Sequence, residues 1–244
     1  MDLAAAYLDR LGVTSPSVDL VGLRQLHEAH LHAVPFENLS VAWREPIPLD
    51  EMAAVRKLVE RRRGGFCYEL NGAFAWLLRE LGFTVDYLEA RVADPGGFGQ
   101  PFDHMVLRVM LDEPHLADVG FGAGFCQPLR IVAEPQSDPW GSMELRQIDT
   151  DLVDLHRDGE VVYRLSLEPH VLVEFATMCW YHQSSPASFF TQGTIVTLPV
   201  PGGRLTVRNR HLIETSGTER HERDLDDREW AEVLLDRFGI VAPG

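Results

Sequence analysis

Residues Arg63 to Cys67 read Arg-Gly-Gly-Phe-Cys, and they run straight into a helical pattern that sets a thiol beside a helix start. Leu70, Phe74, Leu77, Leu78 and Leu81 recur at intervals of three and four, with Gly82 just past the last as a stop. The first turn of such a helix carries unpaired N–H groups and the positive dipole end, which stabilise a thiolate and lower the pKa of a cysteine beside it. Arg61, Arg62 and Arg63 are expected to add cationic charge from the preceding segment. The plain alternative is a small hydrophobe under a helix end, since free cysteine is among the most buried residue types. The flanking glycines and arginines favour a reactive Cys67.

A nucleophilic cysteine needs a base, and the base needs an orienting group, both usually distant in the chain. His104 is the best candidate base. From His104 to Leu111, the apolar Met105, Leu107, Val109 and Leu111 alternate with the other residues, so His104 points away from a wholly apolar strand face. A second short strand, Leu116 to Gly122, carries Asp118. The separation of His104 and Asp118 is even, which in a hairpin puts both side chains on one face. Direct pairing needs a turn centred on Leu111, whereas Asp112, Glu113 and Pro114 suggest a centre near Glu113 and an offset that a bulge or irregular connection must correct. The residues alone do not fix the register. Asp103 is a rival acid on the wrong side of the strand, and His115, His170 and His182 are rival bases without an aspartate at matched parity.

With these residues in view, the chain resembles the arylamine N-acetyltransferases nearly end to end. RGGFCYELNG resembles the family's nucleophile motif, HMVLRV its histidine strand and ADVGFG its aspartate segment. The resemblance therefore implies that Cys67 accepts the acetyl group, His104 is the base and Asp118 orients it. VPFENLS, Val34 to Ser40, resembles the family's N-terminal signature; it implies that Glu37 and Asn38 support Arg63 and that Phe36 lines the acceptor pocket. SSPASFF and the terminal DRFGI match further family segments. Phe66 and Phe125 are expected to join Phe36 in binding the acceptor, and Gly124 is assigned to the acyl-CoA side. Cys126 departs from the family pattern and, like Cys179, is read as a thiol with no role.

The implied fold is α+β in three parts: a helical bundle over 1–82 carrying the nucleophile, an antiparallel β-barrel over 83–190 carrying His104 and Asp118, and an α/β lid over 191–244. Its core is a cysteine-protease-like Cys-His-Asp arrangement. The residue pattern agrees, with helices read at Leu3 to Leu11, Val21 to His32, Leu49 to Arg62 and after Cys67, then short alternating runs with Gly and Pro punctuation. Strands follow at Gly193 to Pro199 and Arg204 to Asn209, with a last helix over Asp226 to Phe238.

A chain of 244 residues that is 45% hydrophobic is long enough for a sizeable core. Its net charge of −15 disfavours nucleic acid and anionic membranes as partners. Lys57 is the only lysine among 22 basic residues, a bias read as compositional. Three cysteines do not make a disulfide framework, and no signal-like or membrane-spanning run occurs, so a cytoplasmic location is expected. No Walker loop, dinucleotide motif or zinc motif is present, and no metal is expected.

The function implied is acetyl transfer from acetyl-CoA to the nitrogen of an arylamine or hydrazine through a cysteine thioester. An amide synthase that moves a polyketide chain from a carrier-protein thioester to an aryl amine would use the same residues and is the alternative.

Overall fold

The computed structural model describes residues 2–243. Five helices occupy the first third: α1 Leu3–Leu11, α2 Leu20–Ala33, α3 Leu39–Ala42, α4 Glu51–Glu60 and α5 Cys67–Glu80. Asp2, Asp19 and Asp50 cap α1, α2 and α4 by accepting backbone N–H groups of the first turn. The helix read as following Cys67 begins at Cys67 itself, and Gly82 beyond its end takes φ +100°, a conformation glycine adopts without strain. α4 is shorter than expected: Asp50 opens it, and Arg62 just beyond it has φ +50°.

The β elements of the first two-thirds are β1 Phe36–Glu37, β2 Thr84–Asp94, β3 Gly97–Phe98, β4 His104–Met110, β5 Pro114–Ala117, β6 Leu129–Arg130, β7 Gln136–Asp138, β8 Gly141–Asp149, β9 Leu152–Arg157 and β10 Glu160–Ser166. β2 to β10 form one antiparallel sheet in the order β6-β5-β4-β2-β10-β9-β8-β7, with β3 on the end of β2. This sheet curls into a nearly closed barrel. Its two edges meet through Gln136, whose side-chain amide both accepts from and donates to the Arg130 backbone at 2.8 Å.

The alternation read in β4 sorts its side chains between two cores. Met105, Leu107 and Val109 pack against Leu70, Phe74 and their neighbours on the helices, whereas Val106 faces the barrel interior with Leu88, Tyr163 and Leu165. His104 shares the parity of Val106. Burying a side chain of the size of Leu or Phe contributes about 1.5–3 kcal/mol, so both faces of this strand are strongly specified.

The rest of the chain comprises α6 Ala176–Ser184, α7 Phe189–Gln192, β11 Ile195–Val200, β12 Gly203–Arg208, β13 His211–Ser216, β14 Glu219–Asp224 and α8 Asp227–Phe238. β1 pairs with β11, so a strand from the N-terminal third heads the five-stranded sheet β1-β11-β12-β13-β14. The 190/191 boundary falls inside α7. β14 reads Glu-Arg-His-Glu-Arg-Asp and is exposed throughout, which is why no alternation announced it. Among the described residues no helix is long and apolar enough to cross a membrane.

Candidate active site

The β4–β5 hairpin settles the relation of His104 to Asp118. Leu107 pairs with Ala117 and Met110 with Pro114, so the turn is centred on Asp112, between the two centres considered from sequence. Continued, that register would set Asp118 opposite Val106, two residues from His104 and on the same face. No bulge is needed. The strand read through to Gly122 stops at Ala117 instead, because the chain then turns to pack against the start of α5. A Cβ on Gly120 would lie 2.7 Å from the Cys67 Cα and 2.7 Å from Asn71 Nδ2, so only glycine admits this approach.

His104 Nε2 lies 2.8 Å from Asp118 Oδ2, with both residues buried. The other carboxylate oxygen accepts from Asn71 Nδ2 and from the Gly120 N–H, each at 2.9 Å. Asp118 is thus held ionised: burial works against its charge, but His104, Asn71 and Gly120 outweigh it and lower its pKa. A carboxylate facing Nε2 fixes the proton there and leaves Nδ1 as the lone pair; Nδ1 has no hydrogen-bond partner among the described residues. Cys67 and His104 line one cavity of about 500 Å³, together with Phe36, Phe121 and Phe190. A larger open groove of about 670 Å³ around Asp112 and His115 contains none of the three candidate residues.

Cys67 is the first residue of α5 and 3% exposed. Burial pushes its pKa well up, the Met105 backbone pulls it down, and the carboxylates of Asp103 and Asp118 push it up again. The expected help from three arginines does not materialise. Arg63 is committed to Glu37 and Glu45 and Arg61 to Glu45, while Arg62 is exposed to solvent, and none of the three acts on the thiol. Ionisation of Cys67 therefore calls for a base that takes the proton, and His104 lines the same cavity.

Comparison with known proteins bears on the family and the fold. Residues 19–243 match the family described as N-acetyltransferase. The arylamine N-acetyltransferase of Mycolicibacterium smegmatis is 33% identical over 254 residues, covering 98% of this chain and 92% of the relative. The chain belongs to the arylamine N-acetyltransferase family. Among solved structures, the Salmonella typhimurium family member superposes with a TM-score of 0.91 at 32% identity, covering 98% of this chain and 92% of that one. The Mycobacterium marinum family member in complex with CoA gives 0.89 at 31% identity, covering 97% and 92%.

The family resemblance had joined Glu37 and Asn38 to Arg63, and the structure divides them. Arg63 Nε and a terminal nitrogen reach Glu37 Oε1 at 2.9 and 2.8 Å, with the guanidinium stacked 4.4 Å from the Trp43 ring. No hydrogen bond joins Asn38 to Arg63. Its amide instead donates to the carbonyls of Phe190 and Gly193 and accepts from the Ile195 N–H, which anchors the α7–β11 connection over the cavity. The lone lysine also proves functional in the fold: Lys57 Nζ lies 2.6 Å from Glu69 and 3.8 Å from Glu37 beneath the nucleophile loop. Glu69 in turn accepts from the Phe66 N–H.

Of the aromatic residues expected at the acceptor, Phe36 lines the cavity and Phe66 and Phe125 do not. Phe66 is fully buried, edge-on to Tyr68 and Phe190. Phe125 lies in the barrel core, stacked at 5.5 Å and 3° on His27. Phe121, Tyr181, Phe189 and Phe190 supply further rings of the cavity; the aspartate segment ADVGFG and the SSPASFF match contain the three phenylalanines, and Tyr181 lies outside both. Gly124 is also outside the lining, and its carbonyl faces Arg157. Cys126 and Cys179 are buried free thiols whose pKa values burial pushes up to about 12.

Sequence reasoning missed His27. Its Nε2 accepts the Asp118 N–H at 3.0 Å and its Nδ1 donates to the Cys126 carbonyl at 2.8 Å, so one neutral imidazole ties the aspartate's backbone to the following loop. Burial lowers its pKa and keeps it neutral.

Proposed function

We propose that this protein transfers an acetyl group from acetyl-CoA to the nitrogen of an arylamine or hydrazine by double displacement, with Cys67, His104 and Asp118 as nucleophile, base and orienting acid. The observation that carries the reading is a buried cysteine at a helix start sharing a cavity with a histidine whose Nε2 is held by a carboxylate and whose Nδ1 is free. In the first half-reaction His104 Nδ1 takes the thiol proton as Sγ attacks the thioester carbonyl. The charged imidazole is stabilised by Asp118 and then protonates the departing CoA sulfur. Backbone N–H groups at the start of α5 are suited to hold the oxyanion.

The acceptor amine then attacks the acetyl-enzyme, gives a proton to Nδ1, and Cys67 leaves as a thiolate. Sulfur suits both halves because a thiolate is a good nucleophile and a good leaving group. Arylamines and hydrazines stay neutral near pH 7, and Phe36, Phe121 and Phe190 offer faces and edges for their rings. The three-part division with 191–244 as a lid belongs to this proposal, supported by separate apolar clusters for the helices, the barrel and the last sheet. A reducing, cytoplasmic setting does too, supported by three free cysteines.

Intact-protein mass spectrometry after mixing with acetyl-CoA, with Cys67→Ala as control, tests the reading. One acetyl group gained at Cys67 and lost on adding an aryl amine is expected. A Cys67 that alkylates readily but takes no acetyl group would overturn acetyl-CoA as donor and turn attention to a larger acyl carrier.

A further inference from the structure

The cavity that holds Cys67 has an unusual charge character. Beyond Cys67 and His104, its ionisable walls are Asp94, Asp103, Tyr181 and His182, of which only the aspartates carry negative charge near pH 7, and among the described residues neither a lysine nor an arginine lines it. Of the neighbouring arginines, Arg208 stacks 5.3 Å from the lining ring Phe189 without itself lining the cavity, and four others are engaged elsewhere. Arg91 pairs with Glu89, Arg63 with Glu37, and Arg157 and Arg204 donate to the carbonyls of Ala123 and Gly122. The chain's net charge of −15 acts in the same direction.

Asp103 and His182 also form an incomplete polar pair on the cavity wall. Asp103 Oδ2 accepts from the Val92 N–H at 3.3 Å, while Oδ1 lies 3.2 Å from His182 Nε2. That approach is off the line of a hydrogen bond, so Nε2 is buried without a partner. Nδ1 meets Ser188 Oγ at 3.1 Å, and the ring is fixed edge-on by Tyr181 and Phe190 at 5.4 and 5.1 Å. A ligand group with N–H donors can satisfy Asp103 Oδ1. A carboxylate has no hydrogen to give and meets like charge there.

We infer that this cavity selects acceptors by charge: aromatic amines and hydrazines that are neutral or carry a cationic or N–H-rich substituent are accepted, and amines bearing a ring carboxylate are disfavoured, with Asp103 and Asp94 setting the preference. The inference rests on the acetyl-transfer reading and narrows its substrate class. The donor does not contradict it, since the phosphates of acetyl-CoA sit at the far end of an uncharged pantetheine arm. Like charges a few ångströms apart beside the half-buried Asp103 repel enough for a tenfold discrimination, a factor equivalent to about 1.4 kcal/mol, whereas Asp94 is exposed and adds less.

Three probes of one shape decide it: 4-aminobenzoate, 4-aminobenzamide and 4-aminobenzamidine. For the wild-type enzyme kcat/KM is expected to be at least tenfold lower for the benzoate than for the amide, with the amidine equal to or above the amide. Raised salt should narrow the benzoate gap and leave the amide unchanged. Asp103→Asn should raise the benzoate-to-amide ratio at least threefold, and Asp94→Asn, at an exposed position, should raise it by a smaller factor. Ratios are read because all acceptors share one acetyl-enzyme, so any effect of Asp103 on its neighbours His104 and Cys67 cancels. A wild-type enzyme that handles benzoate as well as amide, or ratios unmoved in both variants, overturns the inference. Protection of Cys67 from alkylation by the same probes needs no acetyl transfer. A protein that takes no acetyl group from acetyl-CoA would thus overturn the proposed function, while the protection ranking still decides charge selection.

Discussion

Replacing Asp118 by asparagine removes one charge and, in this site, dictates which atom faces His104. Oδ1 of Asp118 accepts two hydrogen bonds, from Asn71 Nδ2 and the Gly120 N–H, each at 2.9 Å. In Asp118→Asn the amide oxygen must take that place, because an NH2 group there would confront two donors. The NH2 group then faces His104 Nε2 where a carboxylate oxygen stood at 2.8 Å. Nε2 becomes the acceptor, the ring proton moves to Nδ1, and no lone pair is left toward Cys67. The imidazolium also loses its buried counter-charge. Together these should slow acetylation of Cys67 by roughly 10³–10⁴-fold, about 4–5.5 kcal/mol of barrier. Single-turnover release of CoA near pH 7 measures the rate, and the thermal midpoint reports on the fold, which should change little because both donors remain satisfied. The variant's rate should climb steadily with pH, since only direct ionisation of a thiol that burial holds high can replace the lost base. A variant within tenfold of wild type would refute the tautomer argument.

Two further perturbations test the framework beneath the site. Lys57→Met leaves the buried carboxylates of Glu69 and Glu37 short of a cation, an imbalance that costs about 3–5 kcal/mol when one partner of a buried pair is removed. Burial already raises the Glu69 pKa, so protonation should relieve part of the loss: urea unfolding should show a smaller deficit at pH 5 than at pH 8, and an equal deficit would exclude this cause. His27 and His30 are buried with pKa values lowered by desolvation, His30 well below the ordinary value and bonded at 2.8 Å to the Tyr7 hydroxyl. The unfolded chain then binds more protons below about pH 6.5, so the stability from each neutral ring is complete above that pH and lost as pH falls toward its folded value. The loss approaches about 1.4 kcal/mol per pH unit for each histidine. His30→Gln should flatten the stability profile between pH 6.5 and 5 by one proton's slope; an unchanged slope would mean the ring is charged in the native state.

Much of the site was readable from spacing. A helix start is a local property, and so are strand parity and glycine punctuation: the α5 pattern placed Cys67 at a dipole end, and even separation put His104 and Asp118 on one face. Local rules failed where the partner lies far along the chain. The hairpin centre at Asp112 was ambiguous because turn residues tolerate several registers, and packing of Gly120 on Cys67 selected one. β14 carries no apolar residue and is a strand only because β13 presents it an edge.

What the sequence determined by itself was therefore the identity and approximate placement of the reacting groups, since side-chain chemistry and short-range periodicity survive without a partner. Tertiary structure alone decided their environment. It paired Arg61 and Arg63 with distant carboxylates, sent Asn38 to the α7–β11 connection, and gave the single lysine two buried counter-charges. It also exchanged Phe66 and Phe125 for Phe121 and Phe190 at the cavity, and brought His27 from α2 to the Asp118 backbone. The physical reason is that electrostatics and packing depend on distance in space, and folding brings together residues as far apart as 27 and 118 that no sequence window contains.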